Sequence, residues 1–465
     1  MTVAFDRLTP GMKRLIAAWI VMASVVLFIV NAAPRSTHVD FVAFYCAGQA
    51  VTLRADPYRE MPLNRCEQTV VSDGPFSTGV TVPAPLPGYA LVPFALLSLL
   101  DFQPAFWLFT AASFLAAAFG CFLCARSARA PLVLAIALAA PTVWDNWLKG
   151  QPVTFSFFAL ALAGSLVARG RDRWAALAAL GTLLQPQIGL AVCVSLALWR
   201  PRTRLTLLAG FAALIGASLI AVSPSILIEY VRDVLPLHAA SEAAWMSQIS
   251  AVSPLVALGV PVGFAISAAA AQQALVAAAG VLTAGPIARR WSAAELIVFF
   301  PALAAAIGGT YEHDNALLIV LPAGLVIARV AGGRFASIVL CGALMPWLAL
   351  GDVVSSSLVA FSLFTVAFVR GVRWPLALCV SAASALLSVG IAHLEVMPDV
   401  PLSINHIDPR AYAEKSWSIF VQAKNPTASV LRAFLALKAP TWISLGILFT
   451  LPLQPERSLP NESRI

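Results

Sequence analysis

The chain is poor in charge. Asp, Glu, Lys and Arg make up 11% of its 465 residues, where soluble globular proteins carry about 25%. With 60% of residues apolar and a mean hydropathy of +0.85, this excludes a water-soluble domain, a disordered chain and a fibre. Charge is scarcest inside the long apolar runs, whose middles contain no Asp, Glu, Lys, Arg or His. Ionisable groups at mid-bilayer mark ion and proton pathways, and transporters often pair broken helices in two related halves. Their absence here, with no internal repeat, argues against a coupled transporter. The 7 cysteines lack metal-ligand spacing, because the one close pair, Cys121 and Cys124, falls in an apolar run without other ligands.

What the sequence has instead is a succession of apolar stretches of about 20 residues, each long enough to cross a bilayer core. The expected class is an all-α, polytopic integral membrane protein of about thirteen transmembrane helices. The net charge of +8 is spread over short clusters between these runs, such as Arg126 and Arg129, Arg169 to Arg173, Arg200 to Arg204, and Arg289 and Arg290. Such spacing sets orientation and does not form a nucleic-acid surface. Assigning the clusters to the cytoplasm leaves most acidic residues outside and predicts a multi-pass protein of the inner (cytoplasmic) membrane, with its polar surface facing the periplasm or exterior. The first run, Leu15 to Val30, reads as a retained helix.

Residues 33–104 then form a long external loop, within which Leu86 to Leu100 is apolar but short and reads as a juxtamembrane or re-entrant helix. Cys46 and Cys66 fall in this loop, where a disulfide and two free thiols are about equally expected. An external turn is predicted over Trp144 to Gln151. Between Arg173 and Arg200 lie 26 residues, too few for two crossings at about 20 residues each, so the chain must turn early. Proline breaks helices, which puts the turn at Gln185, Pro186 and Gln187 and predicts a cavity beside it, since broken backbone at membrane depth needs protein or a wet cavity around it. A second external segment runs from Ser223 to about Pro261. Residues 1–330 are expected to form one transmembrane module, and 331–465 a C-terminal set of helices with an external loop at 393–438.

The polar residues gather at the external helix ends. Four sets meet there: Asp40 and Tyr45, with Asp56 and Tyr58 beyond; Asp145, Asn146, Lys149 and Gln151; Gln185 and Gln187; and Glu312, His313 and Asp314. The string from His38 through Asp40, Tyr45 and Gly48 to Ala50, followed by Ala55-Asp56-Pro57-Tyr58, closely resembles the opening motif of glycosyltransferase family 87, within the GT-C superfamily. Gly150-Gln151, Gln185-Pro186-Gln187 and Tyr311-Glu312-His313-Asp314 are similar to later motifs in the same order. The likeness covers about the first 330 residues. One departure is that Gln185 stands where the family commonly has Lys, so Lys149 or an Arg must make the corresponding phosphate contact, or it is weaker.

The resemblance implies an inverting transfer of a hexose, with mannose the first expectation, from a polyprenyl-phosphate sugar donor to a lipid or glycan acceptor, with membrane lipids as surroundings and no nucleic acid. A sugar phosphodiester already carries a good leaving group, so it needs cationic or N–H stabilisation of the departing phosphate. The acceptor hydroxyl needs one base. Asp40 is the expected base, and the resemblance sets His313 beside the donor phosphate; two flanking carboxylates, Glu312 and Asp314, would favour its imidazolium. Tyr45, Asp56, Tyr58, Asp145, Asn146, Lys149, Gln151, Gln185, Gln187, Glu312 and Asp314 are the expected substrate contacts. No cofactor or metal is required, although Asp145, Glu312 and Asp314 offer oxygen ligands of the kind a divalent cation takes. The alternatives are a lipid-linked sugar flippase, for which Gln272 and Gln273 are the main polar residues within a span, and a scaffold whose external loops bind a partner.

Overall fold

The computed structural model describes residues 38–71, 76, 78–243, 245, 248–345, 353–369, 408–423 and 428–454. The Leu15 to Val30 run, the expected span Pro375 to Ile391 and residues 393–407 and 424–427 of the expected 393–438 loop lie outside them. Among the described residues the structure is helical, and two isolated bridges, Arg59 with Tyr412 and Gln248 with His313, are the extended pairings. Four helices there are long and apolar enough to cross a membrane by length and composition: Phe102–Ala128, Pro201–Ala221, Val262–Arg290 and Asp314–Ala331. Other apolar helices, including Val153–Ala168, Pro186–Trp199 and Leu296–Ala305, are shorter. The expected count of about thirteen crossings goes further than these residues carry.

Two apolar cores hold the molecule together. The larger is built by the bundle, in which Val262–Arg290 packs on Leu296–Ala305, Phe102–Ala128 on Val153–Ala168, and Pro186–Trp199 on Leu296–Ala305. Glycines permit the closest approaches: Gly120 faces the Phe157 ring and Gly164 the Phe299 ring, so that a methyl group at either position would overlap an aromatic side chain. The outer surfaces of Pro201–Ala221 and Val262–Arg290 stay largely uncovered, with Leu205, Leu208, Ile220, Phe264 and Leu275 exposed. An apolar patch of this extent suits lipid and not water.

The smaller core belongs to the 33–104 loop. Its helices Val39–Thr52, Glu60–Val70 and Gly88–Leu97 close over the start of Phe102–Ala128, burying Phe41, Phe44, Phe94, Phe106 and Phe109 against one another. Each such ring contributes about 1.5–3 kcal/mol relative to exposure in water. Gly88–Leu97 is the short apolar helix expected within 86–100. Cys46 and Cys66 are joined in a disulfide that ties the first of these helices to the second. The Ala413–Ala423 helix docks on this loop from the far end of the chain: Ala413 N–H donates to Tyr58 O at 3.0 Å, and Ser416 Oγ accepts from Thr81 N–H at 3.0 Å.

Two expectations change. The Leu132–Lys149 helix includes Trp144 to Lys149, so the turn is confined to Gly150 and Gln151. An Asp145–Lys149 ion pair at i,i+4 supports the last turn, and Gly150, at φ 77°, ends it with its N–H on Asn146 O and Trp147 O. Downstream, Ala428–Thr450 is one helix, so Lys438 is not the end of an external loop but a buried side chain within that helix, its Nζ donating to Ser253 Oγ at 2.8 Å. That bond gives a buried amine a partner in an apolar setting. The stretch between Arg173 and Arg200, by contrast, turns as expected: Asp172–Leu180 and a tight turn over Gly181–Leu184 stop at Gln185, and Pro186 opens the next helix.

The basic clusters gather at one end of the bundle. Arg329 donates to Ser127 O and to Glu295 Oε1, Arg289 lies over the Trp199 ring, and Trp291 Nε1 donates to Pro452 O. The polar helix ends named above lie at the other.

Candidate active site

A cavity of about 600 Å³ opens where the Val39–Thr52 helix, the Gly150 turn, the Gln185 break, the second external segment and the 308–314 loop converge. Asp40, Lys149, Gln151, Gln185, Gln187 and His313 all border it. One wall is apolar, carrying Phe44, Val82, Pro85, Leu184 and Phe420. Gly150 sets the spacing at the mouth, because its Cα lies against the backbone of Phe41 and a Cβ there would approach Phe41 N to 2.8 Å. That contact brings Gln151 to Asp40, whose Oδ2 accepts from Gln151 Nε2 at 2.6 Å. Burial raises the Asp40 carboxyl to about 6, against the Gln151 hydrogen bond and the positive charges of His313 and Lys149, which pull it down.

His313 is held differently from expectation. Its flanking carboxylates point elsewhere: Glu312 Oε2 accepts from Gln187 Nε2 at 3.2 Å, and Asp314 Oδ1 lies 2.8 Å from Lys149 Nζ. The partner is Glu242, from the second external segment, whose Oε2 is 3.1 Å from His313 Nε2 while its Oε1 accepts from Trp417 Nε1. Burial alone would lower the His313 imidazole; the hydrogen bond and charge of Glu242 outweigh it and raise it, which favours the imidazolium. Glu312 is pushed up to about 8 by burial and is neutral at pH 7.

Lys149 Nζ sits between Asp145 Oδ2, at 2.7 Å, and Asp314 Oδ1. The ammonium occupies the space a divalent cation would need between these carboxylates, so this trio does not fit a metal site; it offers one side of a cation to the cavity. Gln185 borders the cavity with its Oε1 buried and without a hydrogen-bond partner. No arginine borders the cavity among the described residues, which leaves Lys149 and His313 as its cations.

Seven expected contacts do not line it: Asp314 and Glu312 reach it only through Lys149 and Gln187, Asp145 likewise stands behind Lys149, and Tyr45, Asp56, Tyr58 and Asn146 lie elsewhere. Tyr45 OH donates to Leu100 O at 2.9 Å, and Tyr58 OH to Leu86 O at 2.7 Å, both inside the small core. Asp56 accepts from Tyr58 N–H and Arg59 Nε, each at 3.0 Å, closing a turn. Asn146 Nδ2 bridges Thr142 O and Asn315 O, which ties two helices together. The motif residues around Asp40 thus divide into one that faces the cavity and several that build the loop presenting it.

Sequence reading missed Glu242, His238, Trp245 and Trp417, which all border the cavity. The available signal was the i,i+4 spacing of His238 and Glu242 on one helical face of an external segment. Gln272 and Gln273, the polar pair within a span, pack beneath the Gly308-Gly309 turn, where Gln273 Nε2 donates to Ala305 O at 3.0 Å. They brace the loop that carries His313.

No curated protein matches the sequence. Over residues 87–308, which include Lys149, Gln185 and Glu242, the sequence matches the family model of Glycosyltransferase family 87. Together with the helical fold and the cavity at one end of the bundle, this match supports a GT-C-like membrane glycosyltransferase of family 87.

Proposed function

We propose that the protein is an inverting hexosyltransferase, with mannose the first candidate, taking its sugar from a polyprenyl phosphate and passing it to a lipid or glycan acceptor at the outer face of the cytoplasmic membrane. The observation that carries this reading is the pairing, in one cavity, of a half-buried carboxylate, Asp40, with two basic groups, Lys149 and His313. In this scheme Asp40 takes the acceptor proton as the hydroxyl attacks the anomeric carbon from the face opposite the phosphate. The C1–O bond breaks with its electrons passing to the phosphate, and Lys149 and the His313 imidazolium neutralise the charge that develops there. A carboxyl near 6 is ionised at pH 7 yet still basic, which suits a general base. The apolar wall gives an isoprenoid chain a surface to lie against.

Purified protein in lipid, supplied with labelled polyprenyl-phosphate hexoses and membrane lipid extract, is expected to form a glycosidic product. Asp40→Asn should lower the rate by roughly 10²- to 10⁴-fold, the usual worth of a general base. Full activity in that variant would remove Asp40 from this role, and movement of the donor across liposomes without product would favour a carrier.

A further inference from the structure

His238 is the buried polar group in the cavity that the scheme above leaves unused. It sits on the Leu235–Ser241 helix, is 4% exposed, and borders the cavity with neither Nδ1 nor Nε2 hydrogen-bonded. Leaving both ring nitrogens of a buried imidazole unpaired costs free energy, and two features fix the ring in that state. Tyr311 packs edge-on against it, with centroids 4.4 Å apart, and Ser241 Oγ donates to the His238 carbonyl, locking the helical turn. Tyr311 also contacts His313, with centroids 5.0 Å apart, so one tyrosine touches two histidines that border the same cavity.

The two imidazoles differ in charge. Glu242 accepts from His313 and has no hydrogen bond to His238, so the proton that this corner can hold goes to His313. Burial and the neighbouring His313 charge push His238 down to about 4, against the pull of Glu242, and it is neutral at pH 7. A neutral imidazole presents one N–H donor and one lone-pair acceptor. A phosphodiester presents acceptors alone and would meet the lone pair unfavourably; a hydroxyl both donates and accepts, and matches. We infer that His238 is a specificity-determining residue that hydrogen-bonds a ring hydroxyl of the donor hexose, while His313 faces the phosphate attached to the same sugar. The short bridge through Tyr311 suits two adjacent parts of one molecule. This assignment rests on the proposed hexosyl transfer.

The test uses the full-length protein in lipid and a panel of polyprenyl-phosphate mannose, glucose and galactose. The best donor is then compared with its forms lacking one ring hydroxyl at a time. For the wild type, one deoxy donor should lose roughly five- to a hundredfold in kcat/KM, the range for stranding a buried hydrogen-bonding group. In His238→Ala and His238→Gln the parent donor should fall by a similar factor, and the same deoxy donor should cost little more. Because each comparison is a ratio within one variant, a smaller folded fraction cancels. A deoxy profile in both variants that parallels the wild type's overturns the inference while leaving the transferase reading in place. Absence of transfer from every donor by the wild type overturns that reading, and this inference with it.

Discussion

Asp40 and His313 set opposite limbs of the expected pH dependence. The base acts as carboxylate, so kcat/KM should rise about tenfold per pH unit below the Asp40 value of about 6 and level above it. Gln151 donates to the charged form, which favours ionisation; in Gln151→Leu the acidic limb should therefore move to higher pH. His313 acts as imidazolium and is kept protonated by Glu242, so Glu242→Gln should bring the basic limb to lower pH. Rate measurements over pH 5–9 on the three proteins check both shifts, and limbs that stay fixed would detach these pairs from the chemistry. Gln185 permits a gain instead of a loss. Its Oε1 is bare at the cavity wall, and Gln185→Lys would add a third cation there; the expected result is a KM for the polyprenyl-phosphate donor lowered several-fold, read from initial rates.

Between elements, the contact most exposed to test is the Ala413–Ala423 helix on the 33–104 loop. Glu60, Glu67 and Glu414 are buried along that seam, with Thr81 Oγ1 donating to Glu60 Oε1 at 2.8 Å and the Glu414 Oε2 left bare. Burial raises Glu60 to about 7 and Glu414 to about 8, from ordinary values of 4.5. A folded-state value above the unfolded one means that the native state holds the proton more tightly. Stability is therefore fullest below pH 4.5 and is lost as pH climbs through 7 and 8. Glu414→Gln removes the ionisation, so its thermal unfolding midpoint should exceed the wild type's at pH 8 and converge with it near pH 5. A gap independent of pH would show that the carboxyl stays neutral or finds a cation. Gly150 is the second such contact: alanine there would be strained at φ 77° and would press on the Phe41 backbone. Gly150→Ala should lower transfer at least tenfold by separating Gln151 from Asp40, with the protein still folded by its unfolding midpoint.

At the scale of the whole molecule, the sequence made the alternation of helices legible because the lipid-facing runs and basic clusters are local signals. The Gln185 break was legible too, since 26 residues cannot cross twice and proline marks where they stop. Asp40, Gln151, Gln187 and His313 could be assigned to one rim from motif and topology alone. Glu242 and His238 could not, because their pairing depends on how the second external segment folds back over the bundle. Tyr45, Asp56 and Tyr58 look the same in sequence whether they touch substrate or build the loop, and only their hydrogen bonds separate the two. The Asp145–Lys149 pair was visible as i,i+4 spacing, yet the polar composition of Trp144 to Gln151 suggested a loop. What remains to be fixed is orientation. Arg171 and Leu258 are both exposed, at opposite ends of the bundle. Among the described cysteines four are buried thiols and two are joined in a disulfide, so in a background with Cys379→Ser a single added cysteine reports cleanly. With the basic clusters cytoplasmic, Leu258→Cys should react with a membrane-impermeant maleimide in intact cells or spheroplasts, and Arg171→Cys only after permeabilisation. The reverse pattern would put Asp40 and His313 on the cytoplasmic side and require a donor presented there.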